Sequence, residues 1–439
     1  MIYNKNNFYH QSVFPGLLKC LLGIIMLCIL PDATLAFEDD HAKSAFPLKI
    51  SPNGRHITDA NGTPFLMVAD VAWQLLRKLS YPEALQYMDA RKSQSFNTIL
   101  VELLPALPNQ RNYHKIPPFH NNNISKPNAA YFDYLEKMIV AAKERNLVIG
   151  IVVSRKSWNV VFDAHNEEIW KDYGAFVGKR FAKYSNIIWI VSEEEYQSAS
   201  QFKSIADGIR SAYDGQIIAS LSTCSPINNS SSPNRSDLKF IIPDSTVTYS
   251  EYAAVANWQK NSAEAALRPF LIANSEFPKE IADQSGLIRN QAYQSIMSSA
   301  AGFCHLSTIR NFNPTWKMNI TKDGAEYIHQ LVKILKGIPW EYMQPDASPQ
   351  LLPDSVDKSE IGILSLSNKR MAMLYVPSSK PVTLDLTSLN GTEFETVWYS
   401  PRTGRRWTGG SFQTAANAIV QPPDSQPGWD WVLLVGAKK

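Results

Sequence analysis

Short apolar runs alternate with amphipathic stretches of helical period along most of this chain, and that alternation leaves few architectures open. Strand-like runs are read at residues 65–69, ending at Asp70, and at 97–104, 147–153, 187–191, 216–221, 247–249, 270–273 and 302–306. Helical periodicity occupies 82–95, 131–145, 169–184, 201–213, 287–301 and 324–335. Strands that are apolar on both faces suit a parallel sheet covered by helices. Eight of them predict a closed α/β barrel, the (β/α)8 or TIM barrel. The rival is an open doubly wound sheet. It is disfavoured because no Gly-rich phosphate turn follows the first strand and because acidic strand ends are spread over several strands.

Two of those strands run into carboxylates: Asn186-Ile-Ile-Trp-Ile-Val-Ser-Glu-Glu-Glu195 and Pro269-Phe-Leu-Ile-Ala-Asn-Ser-Glu276. Barrels carry their chemistry at the carboxyl ends of their strands. A carboxyl pair there suits glycosidic cleavage, with one group protonating the leaving oxygen and the other attacking the sugar. The competing reading makes Glu193 to Glu195 a solvated loop and Glu276 a capping or surface acid. Residues 105–130 and 222–236, rich in Pro, Asn and Ser, read as long loops.

The first residues form a separate unit. Lys5 and Lys19 precede or enter an apolar run at 17–30, then come Pro31 and Ala33-Thr-Leu-Ala36. This predicts a signal peptide over 1–36 and a secreted or periplasmic protein, the alternative being an uncleaved anchor. Its removal lowers the formal charge of +3 by one, to +2, which gives no support for nucleic-acid binding. Of the four cysteines only Cys224 and Cys304 would remain, either bonded or free. No Cys/His cluster with zinc spacing appears, and neither a metal nor an organic cofactor is expected.

Past Pro339-Trp340 the texture changes to short runs at 361–364, 371–376, 382–386, 394–399 and 430–435, separated by Pro, Gly, Ser and Asn. This predicts an antiparallel β-sandwich over 346–439 after a barrel over 37–345. Its aromatics, Trp398, Tyr399, Trp407, Trp429 and Trp431, are read as core, and the unit as a rigid buttress on the barrel.

Several segments together resemble one family. Pro64-Phe-Leu-Met-Val-Ala-Asp-Val-Ala-Trp73 is close to Pro-Phe-x-x-Leu-Gly-Asp-Thr-Ala-Trp; Phe96-Asn97, Asn186-Ile-Ile-Trp189, Gly337-Ile-Pro-Trp340, Pro345-Asp346, Trp398-Tyr-Ser-Pro-Arg-Thr-Gly404 and Asp430-Trp-Val-Leu-Leu434 follow in order. The chain resembles the apiosidase-like glycoside hydrolases, a barrel joined to a sandwich often labelled collagen-binding. In that family Gly-Gly-Asp stands two residues after Asn-Ile-Ile-Trp, so the resemblance implies Glu194 as acid/base, with Ser192-Glu193 replacing the glycines. Glu193 is the alternative. Adjacent carboxylates desolvated together would raise one another's pKa.

The resemblance further implies Glu276 as nucleophile, with Glu280 at another acidic position. On strands four and seven the pair would face across the pocket at about 5.5 Å, the spacing of retaining enzymes. Asp70 and Trp73 are implied to contact sugar or orient the acid, and a purely structural Asp70 is the alternative. From their strand positions, Tyr249 is a candidate to bond the nucleophile and His305 and Trp316 are candidates for subsites, a satisfied core histidine being the alternative for His305. Arg155 and Trp158 are candidates for the rim, and Glu102 has no assignment. The expected activity is retaining hydrolysis of a polysaccharide or glycoconjugate. Two rivals remain: an inactive carbohydrate or matrix binder, and an inverting enzyme with wider carboxyl separation.

Overall fold

The structure is a computed structural model and describes residues 44–193, 198–224, 237–243, 268–274, 285–322, 324–345, 350–353 and 361–438. A small antiparallel sheet comes first: β1 (Lys49–Ile50), β2 (Ile57–Thr58) and β3 (Pro64–Phe65). The turn before β3 is organised by Asp59, whose Oδ1 accepts the amides of Asn61 and Thr63, both at 2.9 Å. Ile57 and Phe65 from this sheet, with Leu48 just before it, pack against the residues filling the barrel, so the sheet plugs the end at which the barrel strands begin.

Eight parallel strands then close on themselves: β4 (Met67–Val71), β5 (Thr98–Glu102), β6 (Val148–Val152), β7 (Ile187–Glu193), β8 (Ile218–Cys224), β9 (Leu238–Pro243), β10 (Phe270–Ala273) and β11 (Gly302–His305). The expected barrel is thus present, with one correction. Strand six is β9, not 247–249, which lies outside the described residues. Alternate side chains divide two cores, as the pleat requires. Met67, Ala69, Leu100, Ile188, Ile190, Ala219, Phe240, Leu271 and Cys304 fill the lumen, whereas Ile99, Val101, Ile149, Ile151, Trp189 and Ile218 meet the helices. Cys304 is a free, fully buried thiol, and burial followed by the charge of Asp70 pushes its pKa up. Closure between the last and first strands depends on Gly302, opposite Met67, where a Cβ would stand 1.8 Å from the Met67 carbonyl oxygen. Neither backbone can yield that much.

The longer described helices around the barrel are α1 (Tyr81–Ser93), α2 (Ala129–Glu144), α3 (Glu167–Phe181), α4 (Ala199–Ala212), α5 (Ser285–Met297) and α6 (Ala325–Leu335). Ser80 and Glu83 form a capping box that starts α1, with Pro82 in its first turn. α3 and α4 flank strand four and touch backbone to backbone. A Cβ on Gly208 would lie 2.1 Å from the Lys171 carbonyl oxygen.

After the barrel comes an antiparallel sheet region: β12 (Met343–Pro345), β13 (Gly362–Leu366), β14 (Met371–Val376), β15 (Val382–Leu384), β16 (Glu393–Tyr399), β17 (Arg406–Gln413), β18 (Ala418–Val420) and β19 (Trp431–Ala437). Six of these form one sheet in the order β12-β13-β14-β19-β16-β17, and β15 pairs with β18. Sequence periodicity does not find β17, an edge strand with alternating exposed residues and a Gly409-Gly410 pair, because its alternation is not one of apolar with polar.

Residues of β19 alternate between two contacts. Trp431, Leu433 and Val435 join the core shared with β15 and β18, while Val432 and Leu434 join Met373 and Tyr375 against Tyr293, Ile328 and Leu331 of α5 and α6. Asp430 ties the units electrostatically. Its carboxylate accepts from Arg289 Nε of α5 at 2.8 Å, from the Tyr375 hydroxyl at 2.7 Å and from Arg402 Nη1 at 2.7 Å. Tyr293 and Tyr375 stack at 4.9 Å. Burial first, then the Asp430 charge, hold the Tyr375 hydroxyl well above its ordinary pKa, so it remains a donor. Asp430→Asn strands two largely buried guanidinium groups. A loss of about 3 kcal/mol is expected, read in calorimetry as a lowered or split unfolding transition; a single transition at the wild-type temperature would contradict the tie.

Candidate active site

The carboxyl ends of the strands form the mouth of the barrel, where enzymes of this architecture work. Strand one delivers Trp73 to it. Strand two delivers Glu102, because Leu100 faces the lumen and Glu102 shares its side of the pleat. An unpaired carboxylate here would be costly, since its side chain is only 1% exposed. Gln74 and Arg155 offset that cost: Gln74 Nε2 donates to Oε2 at 3.0 Å, and Arg155, three residues past strand three, is ion-paired to Oε1. The Arg155 guanidinium lies 5.5 Å from the centre of the Trp73 ring. Gln74 accepts in turn from Arg77 Nε at 2.7 Å. Trp73 therefore stands beside this group with a cation on one face of its indole.

Strand four runs through Glu193, with a register shift against strand five between Ile190 and Glu193. Strand seven ends at Ala273, and Asn274 extends its pairing with the chain past strand eight. Asn274 Oδ1 accepts the Leu306 amide at 2.7 Å, and Nδ2 donates to the Leu306 carbonyl at 3.3 Å. Glu194 follows the described end of strand four by one residue, and Glu276 follows Asn274 by two. Glu194, Tyr249, Glu276 and Glu280 themselves lie outside the described residues, as does the side chain of Glu193.

Asp70 and His305 are not at the mouth. They stand opposite each other on strands one and eight, facing the helices, and neither side chain has accessible surface. Asp70 Oδ1 lies 2.7 Å from His305 Nδ1; Oδ2 accepts from the Tyr87 hydroxyl and, at 2.7 Å, from Arg91 Nε. Arg91 reaches on to Ser307 Oγ at 3.1 Å and to the Ile320 carbonyl at 3.2 Å. Burial first, then the charge of Asp70, hold the Tyr87 phenol well above its usual pKa and keep it a donor. The expected sugar contacts of Asp70 and His305 thus give way to a buried clamp joining strands one and eight, α1 and the loop beyond strand eight.

Trp316 joins the same layer, edge-on to Phe312 at 5.6 Å and to Tyr87 at 6.2 Å, rather than lining a subsite. Trp158 is core too, its indole N–H donating to the Pro105 carbonyl at 2.7 Å. Arg155 stands at the rim where the sequence puts it, whereas Trp158 does not; what sequence reasoning missed is Gln74 and the pairing of Glu102 with Arg155. The one available signal is a carboxylate at the tip of an apolar strand. Among the described residues no group of three or more His, Cys, Asp and Glu could hold a metal ion, and no helix is long and apolar enough to cross a membrane.

Comparison with known proteins agrees with this architecture. A glycoside hydrolase family 5 structure from Bacteroides vulgatus superposes with a TM-score of 0.76 at 19% identity, covering 90% of this chain and 95% of that one. A second glycoside hydrolase gives 0.74 at 20%, covering 90% and 97%. An alpha-amylase from Lactobacillus plantarum gives 0.51 at 9%, covering 84% and 98%. At these identities the likeness speaks for the fold. None of the curated proteins is a match. Residues 345–436 match the family described as "Putative collagen-binding domain of a collagenase". Residues 51–342, which span the whole barrel, match the family described as "Apiosidase-like, catalytic domain", and the chain belongs to that apiosidase-like family.

Proposed function

We propose that this protein is an exported glycoside hydrolase that cleaves with retention of anomeric configuration. The observation that carries the reading is the match of the whole barrel to a catalytic domain, in a chain whose sequence places Glu194 one residue after strand four and Glu276 three residues after strand seven. Glu194 gives its proton to the glycosidic oxygen as the bond from that oxygen to the anomeric carbon breaks, and a Glu276 oxygen bonds to the same carbon. Water then attacks the glycosyl ester, its proton passes to Glu194, and Glu276 is released as carboxylate. Tyr249 donates to the nucleophile, and Trp73 bounds the sugar site. The substrate is a complex polysaccharide or glycoconjugate side chain; the family points to apiose or a similar pentose. Export rests on the segment 1–36, which leaves a secreted or periplasmic chain beginning at Phe37.

The test is a screen of aryl glycosides and plant polysaccharides with protein recovered from the exported fraction, its amino terminus read by mass spectrometry. Proton NMR of the first-formed sugar is expected to show the substrate's anomer. The opposite anomer would replace double displacement by inversion. Saturable glycan binding without turnover would favour an inactive binder.

A further inference from the structure

Among the described residues Arg91, Arg289 and Arg402 hold a buried carboxylate away from the mouth, and each is largely enclosed: Arg91 on Asp70 at 0% side-chain exposure, and Arg289 and Arg402 on Asp430 at 10% and 14%. Arg155 performs the same neutralisation for Glu102 yet is 31% exposed. Arg155 thus keeps guanidinium surface that the other three have given up. Arg155 instead stands at the rim, its orientation set from two sides by the Glu102 carboxylate and the Trp73 ring. A cation over an indole face gains about 0.5–2 kcal/mol and has less freedom to swing away. Glu102 is itself fixed by Gln74, on the segment that follows Trp73, so the assembly links the ends of strands one, two and three.

We propose that Arg155 is a substrate-contacting residue that donates hydrogen bonds to sugar oxygens at the mouth, and that Glu102 and Trp73 are the positioning residues that aim it. The ligand chemistry is that of acceptor oxygens on a glycan, hydroxyl or carboxylate. Glu102 is excluded from direct contact because its side chain is enclosed and both its oxygens are bonded. A pre-oriented planar donor of this kind recognises oxygen pairs that a flexible ammonium would not fix as well. The proposal rests on the hydrolase reading only in placing a glycan at this mouth.

The experiment uses the mature chain carrying Glu276→Gln, titrated by tryptophan fluorescence with neutral xylo- and galacto-oligosaccharides and with oligogalacturonates. Adding Arg155→Met, which retains the apolar stem over Trp73, is expected to weaken binding at least tenfold and, because the enclosed Glu102 carboxylate loses its counter-charge, to lower the melting temperature; pairing it with Glu102→Gln should restore the melting temperature while the binding loss stays. Arg155→Lys should fall between. Glu102→Gln should weaken binding through Arg155 and add nothing to Arg155→Met, the signature of one coupled unit. Loss confined to oligogalacturonates assigns carboxylate oxygens, and loss on both sets assigns hydroxyls. In the active chain the same change should raise KM with kcat within about threefold, as for a binding contact. A folded Arg155→Met variant that binds like its parent overturns the proposal; if that variant does not fold, wild-type binding by Arg155→Lys does so. If the Glu276→Gln chain still turns substrate over, the catalytic assignment fails while the dependence of binding on Arg155 is read independently.

Discussion

Glu276→Gln is expected to lower kcat by on the order of 10⁴-fold or more, the scale set by removal of an enzymatic nucleophile. The amide cannot form the glycosyl ester, yet it keeps the size of the carboxylate, so KM and melting temperature should move little. Glu194→Gln separates the two roles. Without its acid the enzyme should lose about 10²–10⁴-fold on sugars with alkoxide leaving groups, because protonating the departing oxygen is the general acid's contribution. On aryl glycosides with acidic phenols the first step needs little protonation, so the loss should be far smaller and a glycosyl-enzyme should accumulate, visible in the mass spectrum. Glu193→Gln is the control for the neighbouring carboxylate. Should it reproduce the leaving-group-dependent loss while Glu194→Gln does not, the acid/base assignment moves by one residue. Turnover indifferent to Glu276→Gln would sink the double-displacement reading.

Much of the barrel was legible in the sequence because a parallel strand covered on both faces has to be apolar throughout, and runs such as Ile187-Ile-Trp-Ile-Val191 leave little else to be. Strand six was missed for a related reason. Leu238-Lys-Phe-Ile-Ile-Pro243 carries a lysine and follows a polar loop, although Lys239 lies on the side away from the lumen that Leu238, Phe240 and Ile242 fill. The same property that exposes a strand hides the direction of its side chains. Where both faces are apolar, no polar alternation tells which way Asp70, Glu102 or His305 points. Asp70 and Glu102 look alike in sequence, each an acid set in an apolar run. One faces the helices and the other the mouth, a difference set by the phase of the pleat. The partners that decide their chemistry, Arg91 for one and Arg155 for the other, sit 21 and 53 residues further along and carry no mark of that pairing.

This difference in phase makes Asp70 the sharpest test of the structure. Asp70→Ala is expected to cost about 3–5 kcal/mol, because it leaves the fully buried Arg91 guanidinium without its counter-charge and the Tyr87 hydroxyl without its acceptor. For a domain of this size that corresponds to a fall in melting temperature of roughly 5–15 °C. Asp70→Asn should lose most of the same amount, since shape is kept while the charge that balances Arg91 is removed. A sugar-contacting Asp70 would behave in the opposite way, raising KM or lowering kcat in a protein of unchanged stability, so calorimetry and kinetics on the same two variants decide between the roles. Removing both charges gives the confirming result. Asp70→Leu combined with Arg91→Met replaces the ion pair by apolar groups of similar volume, and should recover a large part of the stability that either change loses alone. Recovery of stability together with near-wild-type KM would place Asp70 among the residues that hold the barrel to its helices. Intact stability with lost binding would return it to the sugar site.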